Sequence, residues 1–181
     1  MLSVSELVEL QKQLTYFRIE QWLSESLFSL QWWFLVFLLV APWSIWLRYV
    51  DRRRILEISV FGLLTIAIIT ILDDLGMELG LWAYKYNFVP LLPLLLPMDL
   101  SVLPVVHMLI YQYFRSWKLF IIALTAVGCL FAFIGEPFMV FIGVYQMYQW
   151  KYIYSLPIYI GKAVICRIFV TKLMKLNSEL S

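Results

Sequence analysis

Long apolar runs occupy most of this chain, and they restrict its fold more than any other feature. Five of them are each about as long as a helix needs to cross a bilayer, roughly 17–25 residues. They cover residues 27–47, 55–74, 98–114, 118–138 and 153–172. Because 63% of all residues are hydrophobic and only 14% are charged, the composition lies outside the range of soluble proteins. We therefore expect an all-α fold, a polytopic transmembrane helical bundle of about five spans.

The N-terminal segment is the main polar stretch of the chain. In residues 3–26, leucine and phenylalanine recur at helical spacing with charged residues between them. This pattern is typical of an amphipathic helix at the membrane interface, and a helix packed on its own bundle or on a partner subunit would show it too. The expected divisions are this helix over 1–26, the bundle over 27–175 and a short polar tail over 176–181.

Lysine and arginine are distributed unevenly over the expected loops. With alternating spans, one side carries eight of them: Arg48, Arg52, Arg53, Arg54, Arg115, Lys118, Lys172 and Lys175. The other side carries four: Lys12, Arg18, Lys85 and Lys151. Because basic loops resist translocation, the side with eight is expected to be cytoplasmic. The chain would then be a multi-pass protein of the cell membrane with its N-terminus outside and its C-terminus in the cytoplasm.

The segment 75–97, between the second and third runs, is too apolar for an ordinary solvated loop. Two glycines and three prolines interrupt it, which disfavours a continuous helix, yet five leucines cluster within 91–96. Non-helical backbone at membrane depth is tolerated only against protein or a water-filled cavity. We expect a lid or re-entrant segment over the outer mouth of the bundle. The alternative is a longer, kinked third span that starts near residue 90.

Ionisable residues lie within or at the ends of the apolar runs, where an unpaired charge is costly. The candidate binding residues lie at the outer ends of the expected spans or deeper within them. They are Asp73, Asp74, Asp99, His107, Glu136 and Lys162. Since Lys162 lies mid-span, we expect it to pair with a carboxylate, Glu136 first and Asp99 second. Simpler interpretations stay open for the others. The second-run aspartates can be solvated helix ends, Asp99 a first-turn acid, and His107 an interhelical hydrogen-bonding residue.

Tyrosine and tryptophan are frequent around these charges, in the outer loops and in the first part of the last run. They fit an aromatic belt at the interface. They also fit the walls of an acidic cavity that holds an organic cation or a polar headgroup. No metal-ligand spacing, P-loop or nucleophile motif is found, so the sequence predicts neither a metal nor a cofactor. The two cysteines, Cys129 and Cys166, are expected to be buried thiols rather than a disulfide.

Four stretches of sequence carry a resemblance. They are PMDLS at 97–101, HMLIYQYFRSW at 107–117, FAFIGEP at 131–137 and WKYIYSLP at 150–157. Over roughly residues 55–173, the chain resembles an uncharacterised family of small multi-pass membrane proteins from Gram-positive, spore-forming bacteria. The resemblance implies a location in the bacterial cytoplasmic membrane, and it implies no activity.

Three functions are consistent with these features. The first is a module that binds or passes a cationic or amphiphilic ligand through the outer cavity. The second is a structural or assembly subunit, in a homo-oligomer or with a membrane partner subunit, whose buried charges join helices. The third is a membrane-embedded lipid or isoprenoid enzyme, with Glu136 or Asp99 as acid–base group and Lys162 tuning it. The expected surroundings are the lipid bilayer, and a net charge of +2 gives no indication of nucleic acid.

Overall fold

The computed structural model describes residues 3–92 and 94–180, and it confirms the all-α class. The helices are α1 (Val4–Gln21), α2 (Leu30–Tyr49), α3 (Ile55–Glu78), α4 (Leu103–Tyr113), α5 (Trp117–Leu130), α6 (Glu136–Phe141) and α7 (Tyr152–Leu180). Three turns of wider π-type helix follow α1, precede α4 and join α5 to α6; they are Trp22–Ser26, Met98–Val102 and Phe131–Gly135. Two short strands, β1 (Trp82–Tyr84) and β2 (Tyr145–Met147), lie between helices.

Four helical stretches among the described residues are long and apolar enough to cross a membrane. They are Leu30–Tyr49, Arg52–Glu78, Trp117–Phe141 and Tyr152–Glu179. They correspond to the first, second, fourth and fifth predicted spans. The third prediction coincides with the π-turn Met98–Val102 and the 11 residues of α4; with the two helical residues before that turn, helical backbone covers residues 96–113. It is shorter than each of the four long helices. Most of this shorter helix is buried by its neighbours, so contact with lipid does not set its length.

The core lies where α3 packs between α4 and α7, with α5 against the other face of α7. Phe61 stacks on Tyr111 with ring centroids 4.4 Å apart, and both are buried. A Cβ atom at Gly62 would lie 2.3 Å from Met108 Sδ, so the methionine side chain packs directly against the backbone of α3 at this glycine. The outward faces of the long helices expose leucine, isoleucine and phenylalanine, as expected of surfaces that contact lipid.

One end of the bundle, which we call the lid end, gathers the segments 22–29, 79–97 and 142–151. The indoles of Trp22 and Trp32 donate hydrogen bonds to carbonyls at 87 and 88, with N···O distances of 3.0 and 3.2 Å. β1 pairs antiparallel with β2 across this end. The loops predicted to lie on the less basic side therefore meet one another.

The opposite end, which we call the basic end, gathers the segments 50–54 and 114–116. The Gln112 side chain accepts from the Asp51 backbone N–H and donates to the Tyr49 carbonyl, each at 2.9 Å. Arg167 of α7 donates to the Phe114 carbonyl at 3.0 Å. These contacts tie two parts of the chain to the end of α4: the arginine-rich connection before α3, and α7.

Of the predicted segment 75–97, the first four residues belong to α3, and the remaining 79–97 covers the lid end and is not a simple solvated loop. The leucines of 94–96 are buried and Trp82 is half-buried, whereas the leucines of 91–92 are exposed. Helical backbone begins only at Leu96, just before the π-turn Met98–Val102 that leads into α4, so the alternative of a kinked third span from near residue 90 is wrong. Pro93 lies outside the described residues.

α1 is helical as predicted and begins at a capping box. The Ser3 hydroxyl accepts from the Glu6 backbone N–H, while the Glu6 carboxylate accepts from the Ser3 N–H at 2.6 Å. None of its described side chains is buried. Whether α1 lies on a membrane or on a partner subunit stays a prediction.

Candidate functional site

A cavity of about 490 Å³ lies beneath the segment 79–97 and brings four of the predicted site residues together. Most of its walls are apolar or aromatic, contributed by α2, α3, α4, α6, α7, the π-turns Met98–Val102 and Phe131–Gly135, and the lid end. Its acidic, basic and hydroxyl-bearing lining residues are Asp73, Tyr84, Asp99, Glu136, Tyr145, Ser155, Tyr159 and Lys162. The predicted acidic, aromatic-walled outer cavity thus has a structural counterpart.

Asp73 is the most extensively hydrogen-bonded acid of the cavity. Its Oδ1 accepts from Trp82 Nε1 at 2.9 Å and from the Tyr84 hydroxyl at 2.5 Å. Its Oδ2 accepts from the Leu95 backbone N–H at 3.3 Å. All three donors belong to the segment 79–97, so this carboxylate fixes the lid segment to α3.

Glycine at position 76 makes this fixation possible. A Cβ atom there would lie only 2.0 Å from the Trp82 ring, so the indole lies directly against the backbone of α3. Burial, followed by the nearby charge of Asp73, raises the pKa of Tyr84 well above its ordinary value. Its hydroxyl therefore stays protonated and donates to Asp73.

Asp99 lies in the π-turn before α4 and is 4% exposed. Its Oδ2 is buried and has no hydrogen-bond partner among the described residues. The Asp73 carboxyl group is close enough to interact with it directly. Two carboxylates in such proximity repel each other when both are ionised, so the pair favours the uptake of a proton or a cation.

Glu136 follows a π-turn and precedes Pro137, and this irregularity directs its side chain into the cavity. Wide turns of this kind are frequent at functional sites because they reorient side chains within a helix. Oε1 accepts from the Tyr159 hydroxyl at 2.7 Å. Within the described structure, the buried Oε2 has no hydrogen-bond partner.

Lys162 is 5% exposed and lies in the same cavity. Its Nζ lies 4.7 Å from the centroid of the Tyr159 ring, a cation–π contact. None of the ion pairs within 4.0 Å in the described residues involves Lys162. The expected direct pair is therefore not formed. Both Asp99 and Glu136 attract the ammonium through space, and we rank Asp99 first; which acid is the stronger partner stays a prediction.

The remaining two predicted site residues do not line the cavity. Asp74 is exposed on α3, one position from Asp73 but on another face. His107 is 2% exposed, makes a 2.5 Å hydrogen bond with the Leu103 carbonyl and lies close to the backbone of Tyr159. These contacts fit the simpler interpretation of His107 as a residue that joins helices.

Ser155 also lines the cavity, and it is not among the residues predicted from the sequence. Its hydroxyl accepts from Trp150 Nε1 at 2.9 Å, and its position is close to the Glu136 carboxylate. A serine in an aromatic stretch carries no charge or spacing signal. Only the resemblance of the stretch 150–157 drew attention to this part of the chain.

Comparison with known proteins finds no significant match to this chain. No protein-family model matches the chain, and no curated protein or solved structure matches it significantly. In the residues that the structure describes, no group of three or more His, Cys, Asp or Glu side chains could hold a metal ion.

Proposed function

We propose that this integral membrane protein binds, or passes, an amphiphile with a cationic head in the cavity beneath the segment 79–97. One observation carries the proposal. The buried oxygens Asp99 Oδ2 and Glu136 Oε2 belong to cavity-lining residues and accept no hydrogen bond within 3.5 Å in the described structure, although the Asp73 carboxyl group lies near Asp99 and the Ser155 hydroxyl near Glu136. Unsatisfied buried acceptors are rare in native proteins, and each calls for an explanation such as an absent ligand.

The charge of the cavity favours a cation. Three carboxyl groups, those of Asp73, Asp99 and Glu136, face a single basic side chain, Lys162, among the described lining residues. When the three carboxyl groups and the lysine are all ionised, two negative charges remain uncompensated. A cation 4 Å from a carboxylate gains roughly 4 kcal/mol at an effective dielectric constant of about 20. An ammonium or quaternary head would therefore complete the electrostatics of the site.

The apolar walls favour a ligand that also has a hydrocarbon part. Phe34, Leu38, Ile69 and Phe138 are among the residues on these walls. Ligand pockets of roughly 300–1,000 Å³ usually combine such walls with a few polar groups that fix orientation. An amphiphile would place its head at the acids and its apolar part along the walls.

Asp73 supports a second candidate, a structural or assembly role for part of this cluster. Its two oxygens are occupied by three donors from the segment 79–97, so it holds the lid segment without any ligand. This observation removes Asp73 from direct binding and leaves Asp99 and Glu136 as the ligand contacts. α1, with no buried side chain, would be available to a second copy or a membrane partner subunit.

We expect tetraphenylphosphonium to raise the melting temperature of the purified protein saturably in an uncharged detergent. Tetraphenylborate, tested separately, is expected to have no such effect, because it matches the cation in shape and has the opposite charge. Asp99→Asn or Glu136→Gln should weaken binding of the cation about tenfold or more, since each removes one carboxylate from a site of low dielectric.

Asp74→Asn is the matched control, because it removes the same charge one residue away from Asp73 but outside the cavity. It should change the affinity less than about twofold. Equal stabilisation by both tetraphenyl ions, or equal weakening by Asp74→Asn and Asp99→Asn, would overturn the proposal.

We further propose a bacterial cytoplasmic membrane with the lid end outside, the N-terminus outside and the C-terminus in the cytoplasm. The support is the eight-to-four distribution of lysine and arginine, together with the family resemblance. In a background lacking both native cysteines, a cysteine at Ser3 should react with an impermeant maleimide on intact cells. A cysteine at Ser178 should react only after the membrane is permeabilised. The reverse pattern of labelling would refute this orientation.

A further inference from the structure

We propose a second binding site, at the basic end, for a phosphate group carried by a lipid headgroup or present as free phosphate. A cavity of about 290 Å³ opens there, apart from the lid-end cavity. Its lining residues are Arg54, Glu57, Tyr111, Arg115, Arg167 and Thr171. Three arginines face one glutamate among these described residues, so two positive charges are uncompensated.

The glutamate is already saturated by its neighbours. Arg54 forms a two-pronged ion pair with Glu57, through Nε at 3.0 Å and a terminal nitrogen at 2.9 Å. The Tyr111 hydroxyl donates to the same carboxylate. Both oxygens accept from Arg54 or Tyr111, and the single negative charge of Glu57 also acts on Arg115 and Arg167, so one carboxylate serves three arginines.

Arg167 is a charged side chain that is only 7% exposed and has no carboxylate partner in the described residues. It donates to the carbonyls of Phe114 and Arg115. Its guanidinium carbon lies 4.5 Å from the Trp117 ring centroid and 4.3 Å from that of Phe120. These contacts hold the planar group in one orientation beside the cavity while two of its five N–H donors are used.

Arg115 supplies the accessible part of the site. Its side chain is exposed, lines the cavity and makes no hydrogen bond to any described residue. Arg54 lies close enough to Arg167 for the two charges to repel each other. A bound anion would relieve this repulsion and accept the unused donors.

Phosphate chemistry fits these donors best. Guanidinium groups bind phosphate oxygens through two parallel hydrogen bonds, and rigidly held arginines lose less entropy in doing so. Basic pockets between transmembrane helices commonly hold the headgroups of anionic lipids. The cavity volume lies near the lower limit of ligand pockets, roughly 300 Å³, which suits a headgroup rather than a whole lipid.

The test compares dihexanoyl phosphatidic acid with dihexanoylglycerol, which has the same tails and no phosphate. The purified full-length protein in an uncharged detergent should show a saturable rise in melting temperature with the first and none with the second. Arg115→Gln should weaken this binding about tenfold or more, because it removes a charge-assisted contact. The substitution should not prevent folding, since the side chain is exposed and hydrogen-bonds no described residue.

Arg53→Gln is the matched control. It removes one exposed arginine from the same end without touching the cavity lining, so affinity should change less than about twofold. Inorganic phosphate distinguishes the two sources. If it binds as tightly as phosphatidic acid, the site takes free phosphate; if it binds far more weakly, the site takes a lipid headgroup. Equal effects of Arg53→Gln and Arg115→Gln, or equal binding of dihexanoylglycerol, would contradict the proposal.

Discussion

Asp73→Ala is expected to lower the free energy of unfolding by about 3–5 kcal/mol and to release the segment 79–97. The substitution leaves the Trp82 indole, the Tyr84 hydroxyl and the Leu95 N–H without their common acceptor. Each is a polar donor that would lose its partner in a largely covered position. Denaturant unfolding in detergent measures the loss of stability, and limited proteolysis within 82–92 measures the release.

Asp74→Ala tests whether this effect is specific. It removes an identical side chain from the adjacent position of the same helix, where the residue is exposed. Its effect on the free energy of unfolding should stay within about 0.5 kcal/mol, as for most surface substitutions. Comparable losses in the two variants would mean that the lid segment does not depend on Asp73.

The helices could be predicted from the sequence because an apolar run of sufficient length has few alternatives in a membrane. Four of the five runs became long apolar helices. The run at 98–114 became a shorter, largely buried helix, which length and hydropathy cannot distinguish from a lipid-exposed span. Wide turns such as Phe131–Gly135 depend on tertiary contacts, so no local pattern indicated them.

The choice between Asp73 and Asp74 illustrates a limit of periodicity. Successive residues on a helix are about 100° apart, so only one of two adjacent acids can face a given neighbour. α3 is apolar around most of its circumference, and its sequence therefore does not indicate which face is buried. The buried face passes through Phe61, Thr65, Ile69 and Asp73. Two of the three partners of Asp73 lie in β1, which pairs with β2 across the lid end.

The members of the cavity were predictable, but their pairing was not. Charges inside apolar runs need a polar environment, and of the four predicted on this ground Asp99, Glu136 and Lys162 line the cavity while His107 does not. The depth of a residue along its helix does not fix the direction of a long side chain. The ring of Tyr159 contacts the lysine ammonium, while its hydroxyl donates to Glu136. One tyrosine thus takes the position between the two charges that were expected to meet.

Lys162→Met is expected to destabilise the protein by about 2–4 kcal/mol, because it removes the positive charge from a cluster of buried acids. Combining it with Asp99→Asn should recover more of this loss than combining it with Glu136→Gln. The reason is that we rank Asp99 as the stronger of the two partners of the ammonium. Double-mutant cycles measured by denaturant unfolding in one detergent isolate each coupling energy.

Lys151→Met provides the control for the loss of a lysine, since this residue is exposed at the lid end and outside the cavity. It should be nearly neutral and show no coupling to Asp99→Asn. If both cycles with Lys162→Met are simply additive, the lysine does not neutralise these acids, and they are compensated by water or protons. If the Glu136 cycle shows the larger coupling, the electrostatic order inferred from the cavity is wrong. A dominant coupling to Asp99 would mean that Lys162 interacts more weakly with Glu136 than with Asp99. Glu136 would then be the acid most available to a cationic head.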